Sequence, residues 1–211
     1  MDLLFFDLDG TLLDSESEIS NFTQEILVKL KLNNIAYSAA TGRTMLTGTD
    51  ILKGHGFHLP QVYSNGVTIW DPRNNSLSLE HLLGSSEISI IIETAGIQGI
   101  TPFVHAVSES EYSIYHAKPR HDIEKELISA RYQKTEAKIM SLDQLTDMSQ
   151  VTNVSMIGIA AAVEEVQREL NKNRNLVSYS GPAMEGSPYK WMDIHHCKAS
   201  KGAAVKKIKD T

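Results

Sequence analysis

The sequence has very little cysteine, since Cys197 is the only one among 211 residues. A lone cysteine excludes an internal disulfide and a cysteine-based zinc cluster, and it is typical of proteins in the reducing cytoplasm. The longest hydrophobic run, near residues 154–163, is about half of the ~20 residues that a membrane span needs. The N-terminal segment lacks the pattern of an export signal. We therefore expect a cytoplasmic protein.

Positive charge is not in excess either. The chain has 20 lysine and arginine residues against 26 aspartate and glutamate residues, for a formal net charge of -6. We therefore expect no non-specific attraction to nucleic acid or to an anionic membrane, and any bound anion must be held by a local site. With 41% hydrophobic and 22% charged residues, the composition predicts a folded globular protein. The sequence does not specify an oligomeric state.

The first part of the chain predicts an α/β fold. Residues 3–6 form an uninterrupted apolar run, which is typical of a strand buried on both faces in a parallel sheet covered by helices. The next segment predicts a helix that is capped by Ser17 or Ser20 and packs on the sheet through apolar residues including Phe22 and Ile26. A second strand and a second helix follow. This order predicts parallel strands joined by right-handed crossovers.

Beyond residue 80 the strands and helices alternate less regularly. This mixture predicts a second α+β unit over residues 81–185, inserted into a core that comprises residues 1–80 and 186–211. We expect strands over residues 101–105, 112–115, 137–141, 153–159, 176–179 and 189–194, and helices over residues 86–95, 123–131, 161–171 and 200–209.

The segment Asp7-Leu8-Asp9-Gly10-Thr11 is the most specific functional signal in the sequence. Asp7 and Asp9 are two residues apart, so their side chains lie on the same side of an extended strand end. Gly10 allows the backbone to turn away directly afterwards. In open α/β sheets ligands bind beyond the carboxyl ends of the strands, where this segment is expected. A simple Asp-Gly turn is the alternative, but the four specified residues together favour a functional site.

This Asp-x-Asp-x-Thr pattern resembles the first motif of the haloacid dehalogenase superfamily of phosphotransferases. Other resemblances follow in the family's order over nearly the whole chain. Only 29 residues lie between Thr11 and Thr41, whereas 159 lie between Thr41 and Lys201. This spacing resembles the Cof-type branch with a type-2 cap, in which the insertion follows the second motif, and the strand-rich mixture beyond residue 80 resembles the B subtype of that cap. The matching segments are Ala40-Thr41-Gly42-Arg43 for the second motif, Ser64-Asn65-Gly66 for an Asn-Gly turn, and Ala199-Ser200-Lys201-Gly202 for the third motif.

The resemblance implies both a fold and an activity. The fold is a Rossmann-like core with a parallel sheet and an inserted α+β cap domain. The activity is that of a Mg²⁺-dependent phosphatase that hydrolyses a small phosphorylated metabolite, such as a sugar phosphate. Asp7 is implied as the nucleophile that forms an aspartyl-phosphate and binds Mg²⁺, Asp9 as the general acid and base whose carbonyl group also contacts the ion, and Lys201 as a supporting positive charge. Phosphate contacts are implied for Gly10, Thr41, Gly42 and Asn65.

Physical chemistry agrees with the need for a cation. A carboxylate is a weak nucleophile and repels a phosphate dianion, so its attack on phosphorus requires positive charge between the two. Magnesium suits a site made of oxygen donors. The same residues also have structural interpretations: Thr41-Gly42-Arg43 as a helix-capping turn, Lys201 as part of a lysine-rich surface helix, Asn65 as a turn residue, and Arg43 as the partner of an acid in the core.

The sequence departs from the family pattern after Lys201. The acidic Gly-Asp-x-x-x-Asp loop of the family lies further along the chain than the ten residues that follow this lysine. For the 211-residue form we therefore expect weak Mg²⁺ binding, low activity, and an open edge on the strand that ends at Asp7. A phosphomutase of the same fold, similar to phosphomannomutase, and a catalytically silent binding or vestigial protein remain as alternatives. Met184 and Trp191 are candidates for a specificity pocket, although buried packing is the favoured interpretation.

Overall fold

The computed structural model describes residues 3–108, 111–183 and 187–210. The chain divides into two compact units. The first unit comprises Met1–Glu80 and Ala199–Thr211, and the second comprises His81–Lys198. None of the helices among these described residues is both long enough and apolar enough to cross a membrane.

Eleven strands and six α-helices account for most of the described residues. In chain order they are β1 (Leu3–Phe6), α1 (Asn21–Leu32), β2 (Ala36–Ala39), α2 (Met45–Leu52), β3 (Gln61–Tyr63), β4 (Thr68–Asp71), β5 (Ser76–Leu79), α3 (Ser85–Ile97), β6 (Phe103–Val107), β7 (Tyr112–His116), α4 (Asp122–Ala130), β8 (Lys138–Ser141), β9 (Val151–Ile159), α5 (Ala160–Leu170), β10 (Leu176–Pro182), β11 (Tyr189–His196) and α6 (Lys201–Lys209).

The first unit has the parallel pairing that the order of its elements predicts. β1 pairs in parallel with β2, with Phe6 opposite Ala39. Directly after β2, Ala40 forms a parallel bridge to Val62 of β3. β3, β4 and β5 then form an antiparallel meander. The carboxyl ends of β1 and β2 are therefore adjacent, which brings the segments that follow them to one edge of the sheet.

Helix α1 begins at the second of the two predicted caps. The backbone N–H of Thr23 donates to the Ser20 hydroxyl at 3.2 Å, which satisfies one of the free donors at the helix start. Leu27 is buried, but Phe22 is 72% exposed and Ile26 is also exposed. The prediction that Phe22 and Ile26 pack on the sheet is therefore wrong, because only a narrow stripe of this helix faces the core.

Strand β1 is less buried than its apolar sequence predicts. Leu3 and Leu4 are both exposed, so the prediction of a strand buried on both faces is wrong. The physical reason lies in the pairing: among the described strands, β1 has a partner on one edge only, which is β2. An apolar run therefore does not distinguish a central strand from one at an edge.

The second unit is built on one six-stranded sheet with the strand order β10-β11-β9-β6-β7-β8. All of these pairs are antiparallel except β7 with β8. Helices α3 and α5 cover one face of the sheet, and their buried residues Ile88, Ile91, Val163 and Val166 form one core with Met192 and other strand residues. The opposite face carries polar side chains.

The second domain boundary differs from the predicted one. The sequence analysis assigns residues 186–211 to the core, but β11 pairs with β9 and β10 of the second unit. The reason is the alternation within β11, which buries Met192 and Ile194 against the apolar layer of that unit. The first unit therefore resumes at Ala199. Strand β5 was not predicted, because serines occupy alternate positions in Ser76–Leu79 and weaken its hydrophobic signal.

Candidate active site

Asp7 lies directly after β1, at the edge where the carboxyl ends of the parallel strands meet. One of its carboxylate oxygens, Oδ1, accepts a hydrogen bond from the backbone N–H of Leu8 at 2.8 Å. The other, Oδ2, forms an ion pair with the Nζ atom of Lys201, the first residue of α6. Both side chains remain partly exposed. The fold thus brings together two residues that are 194 positions apart in the sequence.

The turn after Asp7 directs the next carboxylate outward. The backbone N–H of Leu13 donates to the carbonyl oxygen of Leu8 at 3.0 Å and closes this turn. Gly10 has a φ of +69°, in the left-handed region that glycine adopts without strain. Within the turn Leu8 and Leu12 are buried, whereas the Asp9 side chain is 59% exposed. Asp9 is therefore accessible to a ligand.

A guanidinium group holds the Asp9 carboxylate from one side. The Nε atom of Arg43 lies 3.1 Å and 2.9 Å from the two carboxylate oxygens, and one terminal nitrogen lies 2.6 Å from Oδ1. The same nitrogen donates to the Ser17 hydroxyl at 3.1 Å. The hydrogen bonds from Arg43 hold the pKa of the Asp9 carboxyl below its usual value, against a smaller opposing effect of burial. Asp9 is therefore ionised in this arrangement.

Thr41 anchors the segment that carries Arg43. Its backbone N–H donates to the carbonyl oxygen of Val62 at 2.9 Å, and its hydroxyl accepts from the backbone N–H of Arg43 at 3.0 Å. Asn65 donates from its backbone N–H to the carbonyl oxygen of Thr41 at 3.0 Å. A Cβ atom on Gly42 would lie only 3.1 Å from Oδ1 of Asn65. Three predicted phosphate-binding residues, Thr41, Gly42 and Asn65, therefore lie together.

Gly66 allows the turn around Asn65 to approach the start of α6. A Cβ atom on Gly66 would lie 2.3 Å from the carbonyl oxygen of Ser200, and the φ of Gly66 is +104°. Both facts require glycine at this position. Ser200 in turn caps α6, because its hydroxyl accepts from the backbone N–H of Ala203 at 3.1 Å. This contact sets the position from which Lys201 reaches Asp7.

Comparison of the sequence with known protein families identifies the family of the chain. Residues 4–211 match the family of haloacid dehalogenase-like hydrolases. The chain belongs to this family. No curated protein matches the sequence.

Several solved structures share the fold of this haloacid dehalogenase-like hydrolase. A haloacid dehalogenase-like hydrolase from Bacteroides thetaiotaomicron is 19% identical, with a TM-score of 0.73 over 99% of this chain and 76% of that chain. One from B. subtilis is 19% identical, with a TM-score of 0.74 over 100% of this chain and 78% of that chain. A sugar phosphatase of haloacid dehalogenase subclass IIB is 16% identical, with a TM-score of 0.72 over 100% of this chain and 75% of that chain. The predicted α/β fold is therefore confirmed.

Metal ligands in this haloacid dehalogenase-like hydrolase are few. Among the residues that the structure describes, no group of three histidine, cysteine, aspartate or glutamate side chains could hold an ion. The Asp7 carboxylate and the Asp9 backbone carbonyl group are oxygen donors on one turn. Such a set fits Mg²⁺, which commonly binds one or two carboxylates and completes its coordination with water and substrate phosphate.

Two features of the site differ from the sequence analysis or extend it. Arg43 pairs with an acid, as one interpretation predicted, but this acid is the exposed Asp9 and does not lie in the core. Ser17 contacts Arg43 instead of capping α1; its sequence position gives no signal for this role.

Of the two specificity candidates, Met184 lies outside the described residues. Trp191 is 42% exposed, so the favoured interpretation of buried packing is wrong.

Proposed function

We propose that the chain is a phosphoric monoester hydrolase that acts on a small phosphorylated metabolite, such as a sugar phosphate. The ion pair between Asp7 and Lys201 carries this proposal. It joins a carboxylate at a strand end to a cation from the far end of the sequence, at the edge where α/β folds bind ligands. A lysine in this position attracts the phosphoryl group and stabilises the charge that develops on it.

In the proposed reaction one oxygen of Asp7 attacks phosphorus, and the bond from phosphorus to the alcohol oxygen breaks. Lys201 orients the Asp7 carboxylate through their ion pair. The turn around Asn65 binds phosphoryl oxygens, and the Thr41 hydroxyl, which is fully buried, supports this turn and contacts a phosphoryl oxygen only if the segment opens. The resulting aspartyl-phosphate is then hydrolysed by water, which regenerates Asp7.

Asp9 would donate a proton to the leaving alcohol and then accept one from the attacking water. Two observations support this role: the carboxylate lies two residues after Asp7, and it is exposed. Its ion pair with Arg43 favours the ionised form, which suits the second step. Proton donation in the first step requires this pair to open. Acid-base catalysis of this kind contributes about 10²–10⁴ to a rate.

We propose Mg²⁺ as the cofactor, held by the carboxylate of Asp7 and the backbone carbonyl group of Asp9. When bound, the ion would neutralise charge on the phosphoryl oxygens and reduce their repulsion of the nucleophile. The other parts of the scheme belong to the chain itself. Lys201 and Arg43 supply the two positive charges beside the carboxylates.

The test is release of inorganic phosphate from a panel of sugar phosphates and p-nitrophenyl phosphate by the full chain. Asp7→Asn should lower the rate by at least about 10³-fold, because the amide is not a nucleophile. It should also abolish labelling of the protein by ³²P-labelled substrate. Asp50→Asn, on the exposed side of α2, is the matched control and should retain full activity.

Three results would count against the proposal. Undiminished turnover in Asp7→Asn would remove the covalent mechanism. Isomerisation of a sugar phosphate without release of phosphate would identify a phosphomutase instead, and the absence of any turnover with Mg²⁺ would favour the silent binding protein.

A further inference from the structure

Helix α1 carries four exposed large apolar side chains within twelve residues. Phe22 is 72% exposed, Leu32 is 76% exposed and Val28 is 57% exposed, and Ile26 is exposed as well. The opposite side of the helix faces the core through the buried Leu27. Single exposed apolar residues are common on protein surfaces, whereas a group of them on one face marks an interaction site. The exposed side of α1 therefore has the composition of an interface.

Two opposite charges lie among these apolar residues. Four exposed residues at spacings of three, four and three positions form one line along the helix, which we call the α1 stripe: Phe22, Glu25, Lys29 and Leu32. Within the part of the chain that the structure describes, neither Glu25 nor Lys29 forms an ion pair. The α1 stripe thus has an apolar residue near each end of the helix and one unpaired charge of each sign between them.

The order of residues in the α1 stripe is symmetric about position 27. Phe22 lies five positions before it and Leu32 five positions after it. Glu25 lies two positions before it and Lys29 two positions after it. In a two-fold symmetric pair of antiparallel helices, residues at equal distances on either side of the axis face each other. Glu25 of each copy then faces the partner's Lys29, and Phe22 faces the partner's Leu32. The α1 stripe is therefore complementary to a second copy of itself, in charge as well as in apolar contacts.

The same charges disfavour a parallel pair of α1 helices. In a parallel pair each residue of the stripe faces its own equivalent in the partner, so Glu25 faces the partner's Glu25 and Lys29 faces the partner's Lys29. Like charges on neighbouring helix positions are destabilising. Polar residues in such a seam also fix the register, because any shift along the helix separates the opposite charges. The stripe thus specifies one orientation and one register.

We propose that two copies of this chain form a homodimer by pairing their α1 stripes in antiparallel orientation. Two contacts between Phe22 and the partner's Leu32 flank two ion pairs between Glu25 and the partner's Lys29. Helix α1 has 12 residues and is about 18 Å long, so a pair of such helices buries less than the ~1,200 Å² of a standard interface. The dimer should therefore be weak, with a dissociation constant of about 10–100 μM. The proposal is independent of the phosphatase activity, since none of these residues belongs to the Asp7 site.

The test is sedimentation velocity of the full chain over a concentration range from low micromolar to about 500 μM. We expect a reversible shift from the monomer mass of 23.4 kDa to twice that mass as the concentration rises. The shift should weaken at high salt, because the charges that pair across the axis are exposed in the monomer. Phe22→Ser removes an apolar contact at both ends of the helix pair and should weaken the dimer as well.

The decisive variants reverse one charge each. Glu25→Lys places a lysine opposite the partner's Lys29, and Lys29→Glu places a glutamate opposite the partner's Glu25. Each variant alone should therefore lose at least about tenfold in dimer affinity. An equimolar mixture of the two variants places opposite charges together at both positions, and so does the double variant Glu25→Lys/Lys29→Glu. Both should regain the affinity of the natural chain, which a mere loss of helix stability would not allow.

Lys31→Glu is the matched control. It makes the same change of charge as Lys29→Glu at an exposed position of the same helix, but about 200° around the helix axis from the α1 stripe. Its dimer affinity should equal that of the natural chain. Circular dichroism confirms that all of the variants are folded.

Three results would overturn the proposal. The first is a monomer at every concentration. The second is a dimer whose affinity is unchanged in folded Glu25→Lys and Lys29→Glu, which would place the interface elsewhere on the chain. The third is a loss of affinity in the single variants that neither the mixture nor the double variant restores. Each of these results is compatible with phosphate release at Asp7, so failure here does not count against the proposed function.

Discussion

The two units use titratable side chains in opposite ways. In the first unit, Asp7 and Asp9 each pair with one cation, and all four side chains retain solvent exposure. In the second unit, His105, His195 and Asp193 lie within the polar layer of the sheet, where both histidines are buried. Exposed ion pairs contribute little to stability, whereas breaking a buried one is costly. The first cluster is thus free to act on a ligand, and the second contributes to the stability of its unit.

The largest effect on stability should come from Asp193→Ala. Removal of the carboxylate leaves the Asn153 amide and Nε2 of His195 without their acceptor in a buried layer. We expect the free energy of unfolding to fall by about 3–5 kcal/mol. Urea denaturation followed by circular dichroism measures this. Asp122→Ala removes a carboxylate from a fully exposed ion pair and should cause no measurable change; equal losses in both variants would contradict the comparison.

The second prediction concerns pH. Burial lowers the pKa of His105 from 6.5 to about 4. The unfolded chain then binds the proton more tightly than the folded one, so stability should fall as the pH drops from about 6.5 towards 4. For this shift the loss is about 3 kcal/mol. Urea denaturation at several pH values should show the dependence in the natural chain and a weaker one in His105→Gln, while exposed His58→Gln keeps it.

A smaller loss should follow Gly66→Ala. The added Cβ atom meets the backbone of Ser200 and occupies a left-handed conformation, for which we expect a cost of about 1–3 kcal/mol. Because this contact positions α6, phosphate release should fall by more than the loss of folded protein explains. Gly54→Ala has a similar positive φ but nothing within 4 Å of the added atom, so it separates the conformational cost from the contact. Equal activity in the two folded variants would show that the contact does not position Lys201.

The smallest effect on stability should come from Arg43→Gln. The ion pair with Asp9 is exposed, so its loss should lower the free energy of unfolding by less than about 1 kcal/mol. Activity should nevertheless change, because the carboxylate loses its fixed direction. A thermal melt and a phosphate-release assay on the same sample measure the two effects. If stability fell as much as in Asp193→Ala, the contrast between the two clusters would not hold.

Local sequence signals predicted most elements but not their surroundings. The apolar run at residues 3–6 and the Ser20 cap gave the positions of β1 and α1 correctly. They could not show that Leu3 and Phe22 are exposed, because burial depends on which elements cover a strand or helix. The position of β11 was predicted as well, but its assignment to the wrong unit followed from the absence of any sequence signal for strand pairing.

For the candidate site, too, the sequence predicted the residues better than their contacts. The family motifs pointed to Asp7 and Lys201, and the fold brings these two residues into contact. The sequence suggested that Arg43 pairs with an acid in the core, but it did not predict the bidentate pair with the exposed Asp9, since side-chain direction is not encoded in residue spacing. The polar residues around His105 and Asp193 come from four strands. No short segment of the sequence contains all of them, so their association could not be predicted.

The division of the first unit into two segments also sets an order of events during synthesis. The ribosome completes His81–Lys198 before it makes Ala199 and α6. A nascent chain therefore carries Asp7 and Asp9 long before Lys201 exists, and its second unit can fold while the first still lacks α6. Domains generally fold as units during translation. Lys201 is thus made after the second unit, so the Asp7–Lys201 pair cannot form until the inserted unit has been made.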